Sequence, residues 1–251
     1  MSFKPLLKAL IASTALGFVL ASAAQAAEVA GQGTWESTLL GRDIGLNAVA
    51  ATSADAVYLY DTTLNVTWLR NANANGDMNW GIAVGWADNL VTGGGSTAIS
   101  DWRLPMMSVA ASCNWSDTGG TNCGLNAATG SSELASLYFG TLGNASASFD
   151  IDGNRLSGAG LTNTGSFVNL ISGNYWMGTA DTDFPADAAW SLNTEDGVQS
   201  RAPQFQPFSA MAVRSGDVLV TAVPEPETYA LMLAGLALMA GVARRRRDSQ
   251  A

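Results

Sequence analysis

Short apolar stretches alternate with polar, glycine-containing turns through most of the central part of this chain. Apolar runs of this length, bounded by turn residues, predict short strands. We expect strands over residues 34–40, 57–60, 66–69, 175–179, 188–193, 197–201 and 209–214. The predicted turns lie at 41–47, at 61–65 and at Asp196-Gly197, a dipeptide typical of hairpins.

Two segments have helical instead of alternating spacing. Asn79 is a predicted N-cap, and the apolar residues after it recur at intervals of three and four: Trp80, Ala83, Val84, Ala87 and Leu90. Residues 132–139 predict a second, shorter helix that turns Leu134, Leu137 and Tyr138 inward. Many short strands, one or two helices and long loops together predict a compact α+β domain.

The first 26 residues have the order of features found in a secretory signal peptide. Lys4 and Lys8 accompany a mostly apolar run at residues 6–20, and Ala24-Gln25-Ala26 forms a small-residue cleavage site. We therefore expect cleavage after Ala26 and export of the remaining chain.

The C-terminal end carries a second apolar run, at residues 229–243, which is followed by Arg244, Arg245, Arg246 and Arg247. Fifteen helical residues rise about 22 Å, against a hydrocarbon core of about 30 Å. This marginal length suits a temporary anchor, with the arginines as a stop on the cytoplasmic side. Pro224 and Pro226, on either side of Glu225, keep the preceding backbone extended, which is the form a processing enzyme can grip.

The proline-containing motif, the apolar run and the arginine cluster occur in the order of a PEP-CTERM sorting signal, which residues 223–251 resemble. The resemblance implies processing by an exosortase, a transient stay in the inner membrane of a Gram-negative bacterium, and a connection with exopolysaccharide or biofilm production. The alternative is an ordinary C-terminal transmembrane anchor.

The segment between the two signals is strongly acidic. Residues 27–222 contain 18 acidic residues and six arginines, with no lysine or histidine, which gives a net charge of −12. Such a charge disfavours nucleic acid and anionic lipid as partners. The lack of histidine also excludes Ser–His–Asp and Cys–His catalysis, and we assign no catalytic residue.

A series of motifs runs through residues 58–216. Its members are Asp61-x-x-Leu64-x-x-x-Trp68, Asp101-Trp102-Arg103-Leu104-Pro105, Ser132-Glu133-Leu134, Tyr175-Trp176, Ala189-Trp190 and Ala212-Val213-Arg214. In this order the motifs resemble the Lcl C-terminal domain family, which is grouped with C-type-lectin-like folds. The resemblance implies a C-type-lectin-like domain at 57–218, after a lead-in at 27–56. A linker at 219–223 then leads to the sorting tail at 224–251.

The block from Asp101 to Pro105 has a structural interpretation. Arg103 is expected to make a charge-assisted contact with a carboxylate, Asp61 or Asp101, while Trp102 and Leu104 pack and Pro105 ends the strand. Arg214 is expected to be a structural arginine at the end of a strand. The tryptophans expected in the core are Trp68, Trp80, Trp102 and Trp190.

Cys113 and Cys123 are the two cysteines, and in an oxidising compartment we expect them to form a disulfide. The loop that they close contains Trp115, which is our candidate for stacking on a sugar ring.

Acidic turns provide candidate calcium ligands at Asp150 and Asp152, and at Asp181 and Asp183 with Asp187. Neither group fits the twelve-residue EF-hand loop, and plain turns are the alternative. We assign no other cofactor.

The leading hypothesis is a non-enzymatic protein of the envelope or extracellular matrix, whose lectin-like domain binds polysaccharide or another surface component. Two alternatives stay open. One is a carbohydrate-active enzyme that uses two carboxylates, whose separation in space a sequence does not reveal. The other is a purely structural subunit of the matrix.

Overall fold

The computed structural model describes residues 33–148 and 157–219, together with Met239. The expectations that fall outside these residues are the signal peptide, the Pro224-Glu225-Pro226 motif, the apolar run at 229–243, the four arginines that follow it, and the calcium candidates Asp150 and Asp152. Within the described residues, two five-stranded sheets and a few short helices make up the domain. The expected α+β class is confirmed.

The first sheet is antiparallel throughout and has the strand order β10-β4-β3-β1-β2. Its strands are β1 (Leu39–Arg42), β2 (Ala48–Val49), β3 (Tyr58–Asp61), β4 (Val66–Leu69) and β10 (Val213–Ser215). Every residue of β4 is buried, because β4 lies between two strands and is covered by the core.

The second sheet has the order β5-β6-β9-β8-β7, in which only the β5–β6 pair is parallel among the described residues. Its strands are β5 (Trp115–Ser116), β6 (Cys123–Leu125), β7 (Asn174–Ala180), β8 (Ala188–Asn193) and β9 (Val198–Pro203). The expected hairpin joins β8 to β9, where Gly197 has a φ of 69°. A Cβ atom there would lie 2.7 Å from the backbone of Ser146, so the turn requires glycine.

Helix α2 (Trp80–Asp88) begins as expected, because the Asn79 side chain accepts a hydrogen bond from the N–H of Ile82 at 3.0 Å. The second expected helix consists of one turn, α3 (Glu133–Ala135), that continues as a π-helical turn (Ser136–Thr141). Its residues Leu134, Leu137 and Tyr138 are buried, as the spacing predicts.

Two strand predictions were wrong in extent. The segment at 34–40 begins with the helical turn α1 (Trp35–Thr38), because the carbonyl of Thr34 accepts hydrogen bonds from the N–H and hydroxyl groups of Ser37 and Thr38. Strand β1 therefore starts later and extends to Arg42, inside the predicted turn. At the other end, only Val213 and Arg214 of the stretch 209–214 belong to a strand.

The block from Asp101 to Pro105 connects the two sheets. Arg103 exchanges two backbone hydrogen bonds with Val213 of β10, at 2.9 and 2.8 Å, and the carbonyl of Pro105 accepts one from Gly178 of β7 at 2.7 Å. Trp102 is buried, and its ring lies against Tyr58 of β3 with the centroids 5.7 Å apart. The block thus fixes the position of one sheet relative to the other.

The expected ion-pair partners of Arg103 were wrong. Its Nη1 and Nη2 atoms donate to both carboxylate oxygens of Glu133, at 2.6 and 2.7 Å. Asp101 pairs with Arg214 instead, with both contacts at 2.8 Å. Glu133 lies 30 positions from Arg103 in the sequence, and only the fold brings α3 beside the block.

The side chain of Gln199 in β9 is fully buried and joins the second sheet to two neighbouring segments. Its Nε2 atom donates to the Asn122 carbonyl at 2.8 Å and to the Ser131 hydroxyl at 2.9 Å. Its Oε1 atom accepts from the Ser132 hydroxyl at 2.6 Å, and that hydroxyl caps α3 by accepting the N–H of Ala135. Since a buried polar group without a partner costs about 1–3 kcal/mol, these contacts specify how the segments pack.

Asp61, at the end of β3, is a fully buried carboxylate without a cationic partner among the described residues. One oxygen accepts the N–H groups of Thr63 and Leu64, and the other accepts the hydroxyl of Thr141. Burial raises the pKa of Asp61, and these hydrogen bonds offset only part of the effect.

Arg42 and Asp217 fasten the C-terminal end of the domain to β1. The Nε and Nη2 atoms of Arg42 donate to the two oxygens of Asp217, at 2.9 and 2.6 Å. Val218 is buried next to this pair, in a cluster with Leu46. We call the Arg42–Asp217 pair and Val218 the terminal clasp.

We expect Arg103→Leu to lower the free energy of unfolding by about 1–3 kcal/mol, because it leaves the largely buried Glu133 without its cation. The matched control is Arg214→Leu, whose partner Asp101 is mostly exposed and whose loss costs about 0–1 kcal/mol. Urea unfolding of both variants measures the difference. An Arg103→Leu protein as stable as the parent would contradict this interpretation.

We expect Asp61→Asn to remove a pH-dependent loss of stability. A raised pKa in the folded state means that Asp61 favours folding below its ordinary pKa, and that this contribution disappears as the pH rises through the folded-state pKa. The variant should therefore gain stability relative to the parent as the pH rises above about 4. Asp101→Asn is the control of opposite sign, because its hydrogen bonds from Arg214 lower the pKa of Asp101. If the melting temperatures of the parent and of Asp61→Asn change equally with pH, the assignment of a raised pKa to Asp61 is refuted.

Candidate functional site

An open cleft of about 470 Å³ lies at the end of the second sheet. Its lining comes from the loop between β7 and β8, from the start of β8, from β9 and from the turn after β9: Phe184, Asp187, Ala188, Arg201, Ala202, Pro203 and Phe205. Phe184 is 52% exposed and Phe205 76% exposed. Aromatic rings that are this exposed, beside a cleft large enough for a ligand, are typical of a binding site.

Gln204 holds the two sides of the cleft together. Its backbone N–H donates to the carbonyl of Asp187 at 2.8 Å, and its side-chain amide donates to the carbonyls of Pro185 and Ala188, both at 3.1 Å. Its own carbonyl accepts the N–H of Trp80, at the start of α2. The turn that carries Phe205 is thus bound to the loop that carries Phe184, so the cleft is formed before any ligand arrives.

Arg201 is the cation of the cleft. Its Nη1 atom lies 3.0 Å from a carboxylate oxygen of Asp183 and 3.4 Å from Asp181, and its guanidinium carbon lies 5.0 Å from the centre of the Phe184 ring. Asp181 is fully buried and also accepts the N–H groups of Asp183 and Phe184. These contacts fold the loop into a turn and orient the Phe184 ring.

Asp187 differs from the other two carboxylates of this loop. It is exposed, and among the described residues its carboxylate makes no hydrogen bond or ion pair. Two of the three carboxylates in this loop therefore bind the guanidinium, and the third, which is uncompensated, lines the cleft.

The expected disulfide between Cys113 and Cys123 is present, with a Cα–Cα distance of 5.3 Å. Ser112, the residue before this disulfide, contacts the loop that carries Phe184, because its hydroxyl donates to Asp183 at 2.7 Å. Asn122, at the other end of the disulfide loop, donates to the carbonyl of Ser112 at 3.1 Å. The disulfide thus supports the loop on which Arg201 and Phe184 depend.

Trp115, our sequence candidate for ligand contact, lies in β5 at the edge of the second sheet and is 52% exposed. Its Nε1 atom donates to Asp117 at 2.8 Å, which holds the ring within its own loop. Trp115 is not among the residues that line the cleft. Of the tryptophans predicted for the core, Trp68, Trp102 and Trp190 are buried and Trp80 is half-buried.

Asp181 and Asp183, two of the three candidate calcium ligands in this loop, are paired with Arg201. No group of three or more potential metal ligands occurs within residues 33–148 and 157–219. Sequence reasoning singled out these aspartates but missed the two phenylalanines. A signal was available, since Phe184-Pro185 and Pro203-Gln204-Phe205 place aromatic rings in proline-containing turns, where a ring is seldom buried.

Asp101 and Arg214 border a second, smaller cleft of about 310 Å³, which also touches Asp217 and Val218 of the terminal clasp. The charged groups here are paired with each other, so this cleft offers few free polar groups to a ligand.

Comparison with known proteins identifies the tail. Residues 222–247 match the family model described as a PEP-CTERM protein-sorting motif, whereas no curated protein and no solved structure matches the chain. The motif marks an exported protein with a membrane-anchoring sorting tail, and its processing partner is an exosortase. In the part of the chain that the structure describes, no helix has the length and apolar character needed to cross a membrane.

We expect the double substitution Cys113→Ser and Cys123→Ser to loosen residues 112–123 and the neighbouring loop at 181–187, while the rest of the domain stays folded. The chain-entropy model gives a loss of about 2–3 kcal/mol for a loop of this length. Hydrogen exchange monitored by mass spectrometry locates the change. Protection should fall in these two segments and persist in β3, β4 and β8. Global unfolding at ambient temperature would contradict the local role.

Proposed function

We propose that this chain is a non-enzymatic protein of the cell envelope or extracellular matrix, and that its domain binds polysaccharide or another surface component in the cleft between Phe184 and Phe205. It enters the general secretory route, rests in the inner membrane by its tail, and is released or transferred when an exosortase processes the segment at Pro224-Glu225-Pro226. The domain then acts outside the inner membrane.

The sorting motif at 222–247 is the observation that carries this proposal. A chain with this tail is delivered to the outside of the cell, so the ligands it meets are those of the envelope and matrix. The resemblance of residues 58–216 to the C-type-lectin-like Lcl C-terminal domains supports a binding role for the exported part.

The cleft supplies the geometry for such binding. Two exposed aromatic rings offer flat faces for a sugar ring, and Arg201 and Asp187 offer a donor and an acceptor for its hydroxyl groups. The turns that carry them are fixed in place by Gln204 and by the Ser112–Asp183 contact, which limits the entropy lost on binding.

We expect the protein isolated from its native host to lack Arg244, Arg245, Arg246 and Arg247, because an exosortase acts on the segment before the apolar run. Intact-mass analysis measures the new C-terminus and anything attached to it. The control is the triple substitution Pro224→Ala, Glu225→Ala and Pro226→Ala, which should keep the complete tail and stay in the membrane fraction. A mature parent protein that retains its arginines in the membrane would refute the sorting route.

A further inference from the structure

The cleft has an uncompensated negative charge next to aromatic rings. Arg201 is engaged by Asp181 and Asp183, whereas Asp187 is exposed and has no partner among the described residues. The Phe184 ring already has the Arg201 guanidinium beside it, so a cation placed in this cleft would gain the charge of Asp187 and the electron-rich face of Phe205. An anion would meet Asp187 next to a guanidinium whose charge Asp181 and Asp183 already offset.

The rest of the domain reinforces this preference. Residues 27–222 have a net charge of −12, and the potential of such a surface attracts cations to the cleft and repels sulfated or uronic acid polymers. Sugar rings without charge would gain from Phe184 and Phe205 and would offer Asp187 hydroxyl hydrogen bonds, but no opposite charge.

On the basis of the proposed function, we infer that the cleft recognises a polysaccharide of amino sugars with free amines, in which an ammonium group contacts Asp187 while the sugar rings stack on Phe184 and Phe205. The pairing of an aromatic face with a carboxylate is the arrangement that recognises ammonium groups elsewhere in proteins. Acetylation of the amine removes its positive charge. The attraction to Asp187 and to the aromatic face is then lost, and the stacking remains.

Two probes that differ in one chemical group test this inference: a tetramer of glucosamine and the corresponding tetramer of N-acetylglucosamine. Titration calorimetry of the exported protein, purified from its host, is done at a mildly acidic pH at which the free amines are charged. We expect the glucosamine tetramer to bind at least about tenfold more tightly than the acetylated one, and its affinity to fall with added salt. Equal affinities for the two tetramers would overturn the inference.

Substitutions of cleft residues test whether the tetramers bind in the cleft. Asp187→Asn should weaken binding of the glucosamine tetramer about tenfold and leave the acetylated tetramer unaffected. Phe205→Ser should weaken both. The controls are Asp55→Asn, an exposed carboxylate outside the cleft, and Val109→Ser, an exposed apolar residue outside it. All four substituted positions are exposed, so the variants should keep the melting temperature of the parent. This measurement verifies that they are folded. Glucosamine binding that survives Asp187→Asn would also overturn the inference.

A second measurement separates this inference from the function on which it rests. Matrix polysaccharide from the host is tested for retention of the parent protein and of Phe205→Ser. Retention that depends on Phe205 but is unaltered by chemical acetylation of the polysaccharide would preserve the proposed function and overturn the amino-sugar assignment. Retention that is equal for the parent and Phe205→Ser would overturn the proposed role of the cleft itself.

Discussion

The arrangement of the second sheet depends on the buried amide of Gln199. This group cannot lie in the interior unless its donors and its acceptor are all used. The partners that use them are Asn122 in the disulfide loop, Ser131, and Ser132 at the cap of α3. Arg201 and Pro203 follow Gln199 along β9 at intervals of two, which places all three on one face of the strand. Where the covering segment ends, that face becomes accessible, and the cleft begins there.

The arginines of the domain explain why a negative surface remains. All five arginines within the described residues are engaged. Four of them bind carboxylates, and Arg70 donates to the carbonyls of Ser53, Ala56 and Ser166. These pairs connect distant parts of the chain: Arg42 with Asp217, Arg103 with Glu133, Arg201 with Asp181 and Asp183, and Arg214 with Asp101. The cations therefore serve the fold, and the carboxylates in excess of them, Asp187 among them, determine the charge that a ligand meets.

Local patterns in the sequence predicted the local features well. The cap at Asn79, the hairpin at Asp196-Gly197, the disulfide and most strands follow from neighbouring residues, and the structure contains them. Prediction failed where a hydrogen-bonding group had more than one possible partner. Thr34 uses its carbonyl to start a helical turn instead of a strand, and Arg103 binds Glu133 in place of a nearby aspartate. The cleft was missed for the same reason, because Phe184 and Phe205 approach each other only through the pairing of β8 with β9 and the contacts of Gln204.

The terminal clasp has a mechanical consequence. Asp217 lies between β10 and Leu219, so tension applied through the sorting tail reaches the Arg42–Asp217 pair before it reaches the strand. Tension must break two charge-assisted hydrogen bonds and extract Val218 before it can peel β10 away from β4.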